Sequence, residues 1–230
     1  MRPLVIDTET TGLDTSYDEI VELAGVWRDD GHTYFHTDVC HTDLPIPPEA
    51  SASHHLTSAD IALAQRPVEV LERMVDRFGD FHDCVLVAHN AGFDRPMLSR
   101  ASGGLTDSRP WVCTWRCALH LWPQAPRHGN QVLRYWLNLA LEYLPRDLHP
   151  HRALYDALVT EAILRRMLME KTLEQLVTLS SQPVLLTKIR FGKHEGQLWK
   201  DLPRDYLRWI LRSGDFDEDT LYTARHYSEL

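Results

Sequence analysis

Apolar residues cluster at Leu4-Val5-Ile6, along 20–27 and at Cys84-Val85-Leu86-Val87-Ala88. Runs this short, closed by polar or turn-forming residues, predict buried strands over 3–9, 20–27 and 84–88. Asp29-Asp30-Gly31 reads as a hairpin turn into a third strand over 33–39. Pro45 to Pro48 is a loop leading into a helical patch over 50–53. Val68, Val70, Leu71, Met74, Val75 and Phe78 recur in helical register and predict a helix over 68–78. A second helix is expected over 93–101, and the longest, rich in Ala, Leu, Met and Arg, over 152–170. Trp111-Val112-Cys113 reads as a fifth strand, with Thr114 as N-cap of a helix running through Leu121. Three meandering strands followed by strands alternating with helices give an α/β fold around a mixed sheet.

The pattern breaks at Ser180-Ser181-Gln182-Pro183, and the residues beyond differ in character: Phe191-Gly192-Lys193, Gly196, Trp199, Tyr206, Trp209. This divides the chain into a main domain, 1–180, and a small C-terminal module, 181–230, near the lower size limit for independent folding.

Composition excludes more than it identifies. The chain has 230 residues, 43% hydrophobic and 25% charged, as ordinary globular domains do. No 18-residue apolar run is present, and the apolar run leading into Asp7 is only the three residues Leu4-Val5-Ile6, too few for a signal-peptide core. Cys113 and Cys117 have a loose metal-like spacing, but no neighbouring pair completes a zinc site; four scattered cysteines fit reduced thiols in a cytoplasmic protein. A net charge of −9 argues against nucleic-acid binding through a general positive field. The charge is uneven, however: between Lys188 and Arg212 the basic residues Lys188, Arg190, Lys193, Lys200, Arg204, Arg208 and Arg212 outnumber Glu195, Asp201 and Asp205, and the last stretch turns acidic through Asp215, Asp217, Glu218 and Asp219.

The first strand carries the candidate chemistry. Asp7 and Glu9 are two apart and share a face. Two adjacent carboxylates repel and resist burial, so an oxygen-binding divalent cation between them is the economical partner, although solvated Asp-x-Glu triplets are common in loops. Asp94 follows the strand ending at Ala88 and the polar turn His89-Asn90, where it opens a helix; complementing the helix dipole is its alternative role. His151 and Asp156 stand about 140° apart on a continuous helix. Pro150 puts His151 in the approach loop instead, from which it can fold back towards Asp156. Four carboxylates supply what a two-metal phosphoryl-transfer site needs, with ions about 4 Å apart clamping the attacking and leaving oxygens. A His suits the base beside them, its ordinary pKa of about 6.5 lying near working pH.

Asp7-Thr8-Glu9-Thr10-Thr11-Gly12-Leu13, Asn90-Ala91-Gly92-Phe93-Asp94 and His151 through Asp156 resemble the three motifs of the DEDDh 3′→5′ exonuclease superfamily. The sister subclass has Tyr four residues before the last Asp, where this chain has Arg152. The resemblance implies a ribonuclease H-like mixed five-stranded sheet flanked by helices, two divalent metal ions (Mg²⁺ or Mn²⁺), and DNA 3′ ends, single-stranded or duplex, as partners. It implies Asp7, Glu9, Asp94 and Asp156 as metal ligands and His151 as general base. Thr8 and Thr10 match backbone contacts to the terminal nucleotide. Leu13 matches a residue wedged against the terminal bases, a core leucine being the alternative. His54 matches a His preceding a Gly-Ile-Thr-like turn, but His55 replaces the Gly. Asn90 is either a substrate contact or a turn former. The tail resembles exodeoxyribonuclease X-type members at Phe191-Gly192-Lys193, Gly196 and Asp205-Tyr206-Leu207-Arg208-Trp209. Lys193, Lys200, Arg208, Trp199 and Trp209 suit phosphate pairing and base stacking, and the aromatics equally suit a small core of the module's own. The expected activity is release of nucleoside 5′-monophosphates from DNA 3′ ends. Its rivals are 3′→5′ trimming of RNA, since the motifs do not encode sugar preference, and a non-catalytic end-binding adaptor.

Overall fold

A computed structural model describes residues 1–79, 81–142 and 148–229. Its centre is a five-stranded sheet in the order β3-β2-β1-β4-β5. The strands are β1 (Arg2–Thr10), β2 (Ile20–Asp29), β3 (His32–Val39), β4 (Cys84–Ala88) and β5 (Trp111–Cys113). The first three pair antiparallel, β4 joins β1 in parallel and β5 joins β4 likewise, which makes the sheet mixed as expected. The Asp30-Gly31 turn joins β2 to β3, both residues with positive φ (46° and 80°), the geometry that matches strand twist in a two-residue hairpin.

Around the sheet lie α1 (Pro48–His54), α2 (Pro67–Phe78), α3 (Ala91–Ala101), α4 (Thr114–Leu121), α5 (Asn130–Trp136), α6 (Ala153–Leu168) and α7 (Leu173–Ser181). Strand alternation assigns each face its own helices. Leu4, Ile6 and Leu86 pack with Leu71 and Met74 of α2 and Met97 and Leu98 of α3. Val5, Val85 and Val87 pack on the other face with Leu158, Val159 and Ile163 of α6. A third apolar cluster, built on Ile189, Trp199, Tyr206, Leu207, Ile210 and Ala224, belongs to the C-terminal segment with α8 (Arg204–Ser213) and α9 (Glu218–Glu229). No helix among the described residues is long and apolar enough to cross a membrane.

Several expectations are corrected. Thr114 does not cap α4: Cys113 is the N-cap, and Thr114 is the first helical residue. Its hydroxyl lies 3.3 Å from the Ala88 carbonyl and 2.9 Å from Nδ1 of His89, so it is engaged by the neighbouring strand end. The longest helix spans 153–168, with Arg152 as N-cap outside it. Helix α5 escaped the periodicity because its seven residues are too few to display a stripe. Trp199 and Tyr206 are buried in the module's core, while Trp209 is exposed. All four cysteines are free and buried.

Candidate active site

Strand β1 delivers its carboxylates to the α6 side of the sheet, where Asp156 projects from the first turn of α6. Ligand oxygens of Asp7, Glu9 and Asp156 lie within 4.8 Å of one another. Asp156 is held from two directions: Oδ1 accepts from Nε2 of Gln131 in α5 at 3.0 Å, and Oδ2 accepts the His151 N–H at 2.8 Å. The second bond depends on the loop before α6, in which His151 takes a left-handed φ of 65°. Such a φ is uncommon for a non-glycine residue, and here it aims a peptide N–H at the Asp156 carboxylate. The His151 side chain is exposed.

Asp94 arrives from the opposite face. It is 4% exposed and lies outside the 4.8 Å cluster, its Oδ1 accepting the Thr8 hydroxyl at 2.9 Å. Thr8 points away from Asp7 and Glu9, so its hydroxyl serves to fix Asp94 beneath the strand end. Asn90 precedes α3 with φ 73° and is exposed, and this left-handed residue turns the chain from β4 into the helix that bears Asp94. His89 ties the same turn down, Nε2 donating to the His128 carbonyl at 2.9 Å; burial lowers its pKa to about 4, leaving the ring neutral.

The electrostatics follow from crowding. Burial first, then the charges of Asp94, Asp156, Glu9 and Glu22, hold the Asp7 carboxyl well above the usual carboxylate range. Glu9 is pushed up to about 8 by burial, with Asp156, Glu22 and Asp94 adding to the shift and Arg152 opposing it. Asp94 is pushed up to about 7 by burial against the lowering hydrogen bond from Thr8. Burial also raises Asp156, opposed by the His151 N–H and Gln131. An all-oxygen, multiply anionic cluster whose carboxyls resist ionisation together has the donor chemistry that a hard divalent cation satisfies.

The sequence reading missed Glu22. It lies directly opposite Glu9 in the β1–β2 pairing and is 3% exposed. Arg152 neutralises it with a two-point clasp, Nε to Oε2 at 2.9 Å and Nη2 to Oε1 at 2.6 Å. Oε2 of Glu22 also accepts the Ala153 N–H at 3.0 Å, closing the open N-terminus of α6. One carboxylate on β2 therefore anchors the segment between His151 and Asp156. A charge inside an otherwise apolar strand was the available signal.

The remaining candidates divide. The Thr10 hydroxyl donates to the Gly12 carbonyl at 2.6 Å, bracing the loop after β1. In that loop Oδ1 of Asp18 accepts from the Thr11 hydroxyl and Oδ2 from the Asp14 N–H, both at 2.8 Å. This brace presents Leu13 to solvent, 86% exposed, so it is not a core leucine. His54 is buried at the end of α1, Nδ1 accepting the Leu56 N–H at 3.1 Å. His55 follows as the left-handed C-cap (φ 61°) with its N–H on the Ser51 carbonyl, a position where glycine is the usual solution.

A family model described as "Exonuclease" matches residues 4–164, the span that carries all five acidic and histidine positions. The chain belongs to the DEDDh exonuclease family. Exodeoxyribonuclease 10 of Escherichia coli (strain K12) is 34% identical over 232 residues, 98% of each chain. The solved structure of exonuclease X in complex with 5′ overhanging duplex DNA superimposes with a TM-score of 0.64 at 32% identity, covering 78% of this chain and 99% of that one. More distant DEDDh exonucleases share the fold: the nuclease domain of 3′hExo, bound to rAMP, aligns at a TM-score of 0.55 with 17% identity over 73% of this chain and 92% of its own. A second family model, described as "Putative quorum-sensing-regulated virulence factor", matches residues 174–224.

Proposed function

We propose that this DEDDh exonuclease removes nucleotides from DNA 3′ ends, releasing nucleoside 5′-monophosphates. The observation that carries the reading is the convergence of Asp7, Glu9 and Asp156 within 4.8 Å, beside a Thr8-held Asp94, in a chain alignable along 98% of its length with an exodeoxyribonuclease. Asp7, Glu9, Asp94 and Asp156 would hold two divalent ions, Mg²⁺ or Mn²⁺. When bound, such a pair supplies Lewis-acid stabilisation of the attacking and departing oxygens in an in-line displacement.

The chain's own groups do the rest. His151, exposed on its strained loop, takes the proton of the attacking water at its imidazole. The backbone bond from His151 to Asp156 couples the base's position to a ligand's, so one loop conformation sets both. Leu13, held out by the Asp18 brace, wedges against the terminal base. Thr10 and Thr8 place the backbone near the terminal nucleotide, and Asn90 and His54 are the further candidate substrate contacts. Residues 1–180 form the catalytic domain and 181–230 a separate module. Four free, buried thiols suit work in the reducing cytoplasm.

Product analysis tests this reading. With Mg²⁺ and a single-stranded DNA oligonucleotide, chromatography should find nucleoside 5′-monophosphates and no 3′-monophosphates. An RNA oligonucleotide of the same sequence should be degraded more slowly. Release of 3′-monophosphates, or faster loss of RNA, would require a different assignment of substrate or bond.

A further inference from the structure

Beyond the cleavage site, the module carries a charged surface that the catalytic chemistry leaves unused. Tyr206, Leu207 and Ile210 turn one side of α8 into the third core cluster. The opposite side exposes Arg204, Arg208 and Arg212, spaced four apart and hence in one stripe, with about 6 Å of axial rise between neighbours. Exposed Lys200 precedes the stripe. Among the described residues none of these four cations has a salt-bridge partner, although Asp201 and Asp205 sit nearby in the chain. Several other arginines are ion-paired: Arg28 and Arg165 with Glu142, Arg66 with Asp43, Arg73 with Asp38, Arg116 with Asp219.

An aromatic ledge flanks the stripe. Trp209 is 51% exposed and stacks on Tyr206 with centroids 5.3 Å apart. The Lys193 ammonium sits 5.4 Å from the Tyr206 ring centre. Lys193 is presented by a turn that only glycine fits at position 192, where φ is 67° and a Cβ would come within 2.6 Å of the Tyr206 hydroxyl. The neighbouring helix α9 is tied to α4, where Arg116 bonds both carboxylate oxygens of Asp219, at 3.0 and 3.2 Å.

We propose that the Arg204/Arg208/Arg212 face of α8, with Lys193, Lys200 and Trp209 on its flanks, is a second nucleic-acid contact that grips the phosphate backbone away from the reacting 3′ end. Guanidinium forks match phosphate oxygens, and a stacked, half-exposed indole matches a nucleobase face better than it matches a lipid surface or an acidic protein helix. The choice of polyanion rests on the proposed nuclease function; the surface itself does not. Such a contact also explains how a chain with a net charge of −9 can retain a polyanionic substrate.

The test separates the two. Fluorescence anisotropy with a labelled DNA duplex bearing a single-stranded 3′ tail, in EDTA so that nothing is cut, compares the full chain with R204E/R208E/R212E. Binding should weaken by about tenfold or more at moderate salt, and the slope of log K against log salt should shrink by about 0.9 for each phosphate no longer neutralised. The triple Arg→Lys variant should keep most of the salt slope, and Trp209→Phe should bind better than Trp209→Ala. Unchanged affinity and slope in the triple Glu variant, with an unchanged thermal midpoint, would overturn the proposal. Failure of the nuclease reading would show differently, as no DNA shortening in Mg²⁺ by a protein that still binds.

Discussion

Asp7 carries the heaviest electrostatic load in the acidic cluster, because four other carboxylates act on it in a buried setting. Its isosteric variant isolates that load. Asp7→Asn should lower the rate of nucleotide release by at least about 10³-fold, measured as single-turnover cleavage, while leaving the metal-free protein no less stable. His151→Ala removes the proposed base and should cost about 10²- to 10⁴-fold in kcat, with KM for DNA nearly unchanged. The raised carboxyls also set a sign for stability. A group that ionises less readily in the folded than in the unfolded state binds more protons when folded, so stability falls as pH rises between its two pKa values. Metal-free protein should therefore lose thermal stability from about pH 4.5 up to about 8, the upper end marked by Glu9. Added Mg²⁺ should raise the melting midpoint more at pH 8 than at pH 6, which differential scanning calorimetry would read directly. The opposite order would mean that these carboxyls are not the metal's ligands.

At the scale of elements, β1 and the segment before α6 were legible because each carries its chemistry contiguously. Asp7-Thr8-Glu9 needs only strand alternation to place two oxygens together, and Pro150 signals that His151 lies outside the helix. What could not be read is what long-range packing decides. Glu22 looked like part of a buried strand, and its partner Arg152 stands 130 positions away. Thr8 shares a motif with Asp7 yet works on the other face of the sheet, holding Asp94. Thr114 had the residue type of a cap, but its hydroxyl was taken by β4 and His89. The Glu22–Arg152 clasp makes its own prediction. Glu22→Ala leaves a guanidinium without its buried partner and frees the Ala153 N–H, and should destabilise the fold by about 3–5 kcal/mol in chemical denaturation. Glu22→Gln should retain the fold better but lower kcat more than it raises KM, because it loosens the loop that positions His151. An unchanged kcat in Glu22→Gln would leave the clasp with a purely structural role.

For the molecule as a whole, α7 ends at Ser181, one residue past the expected boundary between 180 and 181, and the third apolar cluster lies beyond it. Helix α7 itself belongs with the sheet, since Oγ of its Ser180 accepts the Cys113 N–H at 2.8 Å and its Leu176 is buried among the α6-side core residues. Truncation should therefore follow Ser181. A chain ending there should still shorten DNA, with the loss concentrated in affinity for long substrates. The central claim is that the β1 carboxylates, with Asp94, Asp156 and His151, cut DNA from its 3′ end through bound divalent cations. Its most direct test is a 5′-labelled single-stranded DNA oligonucleotide incubated with the purified chain and Mg²⁺, resolved on a sequencing gel. The account predicts a ladder shortening one nucleotide at a time, absent in EDTA and absent in Asp7→Ala. A ladder that persists in either condition, or label released at once as a mononucleotide from the 5′ end, would contradict it.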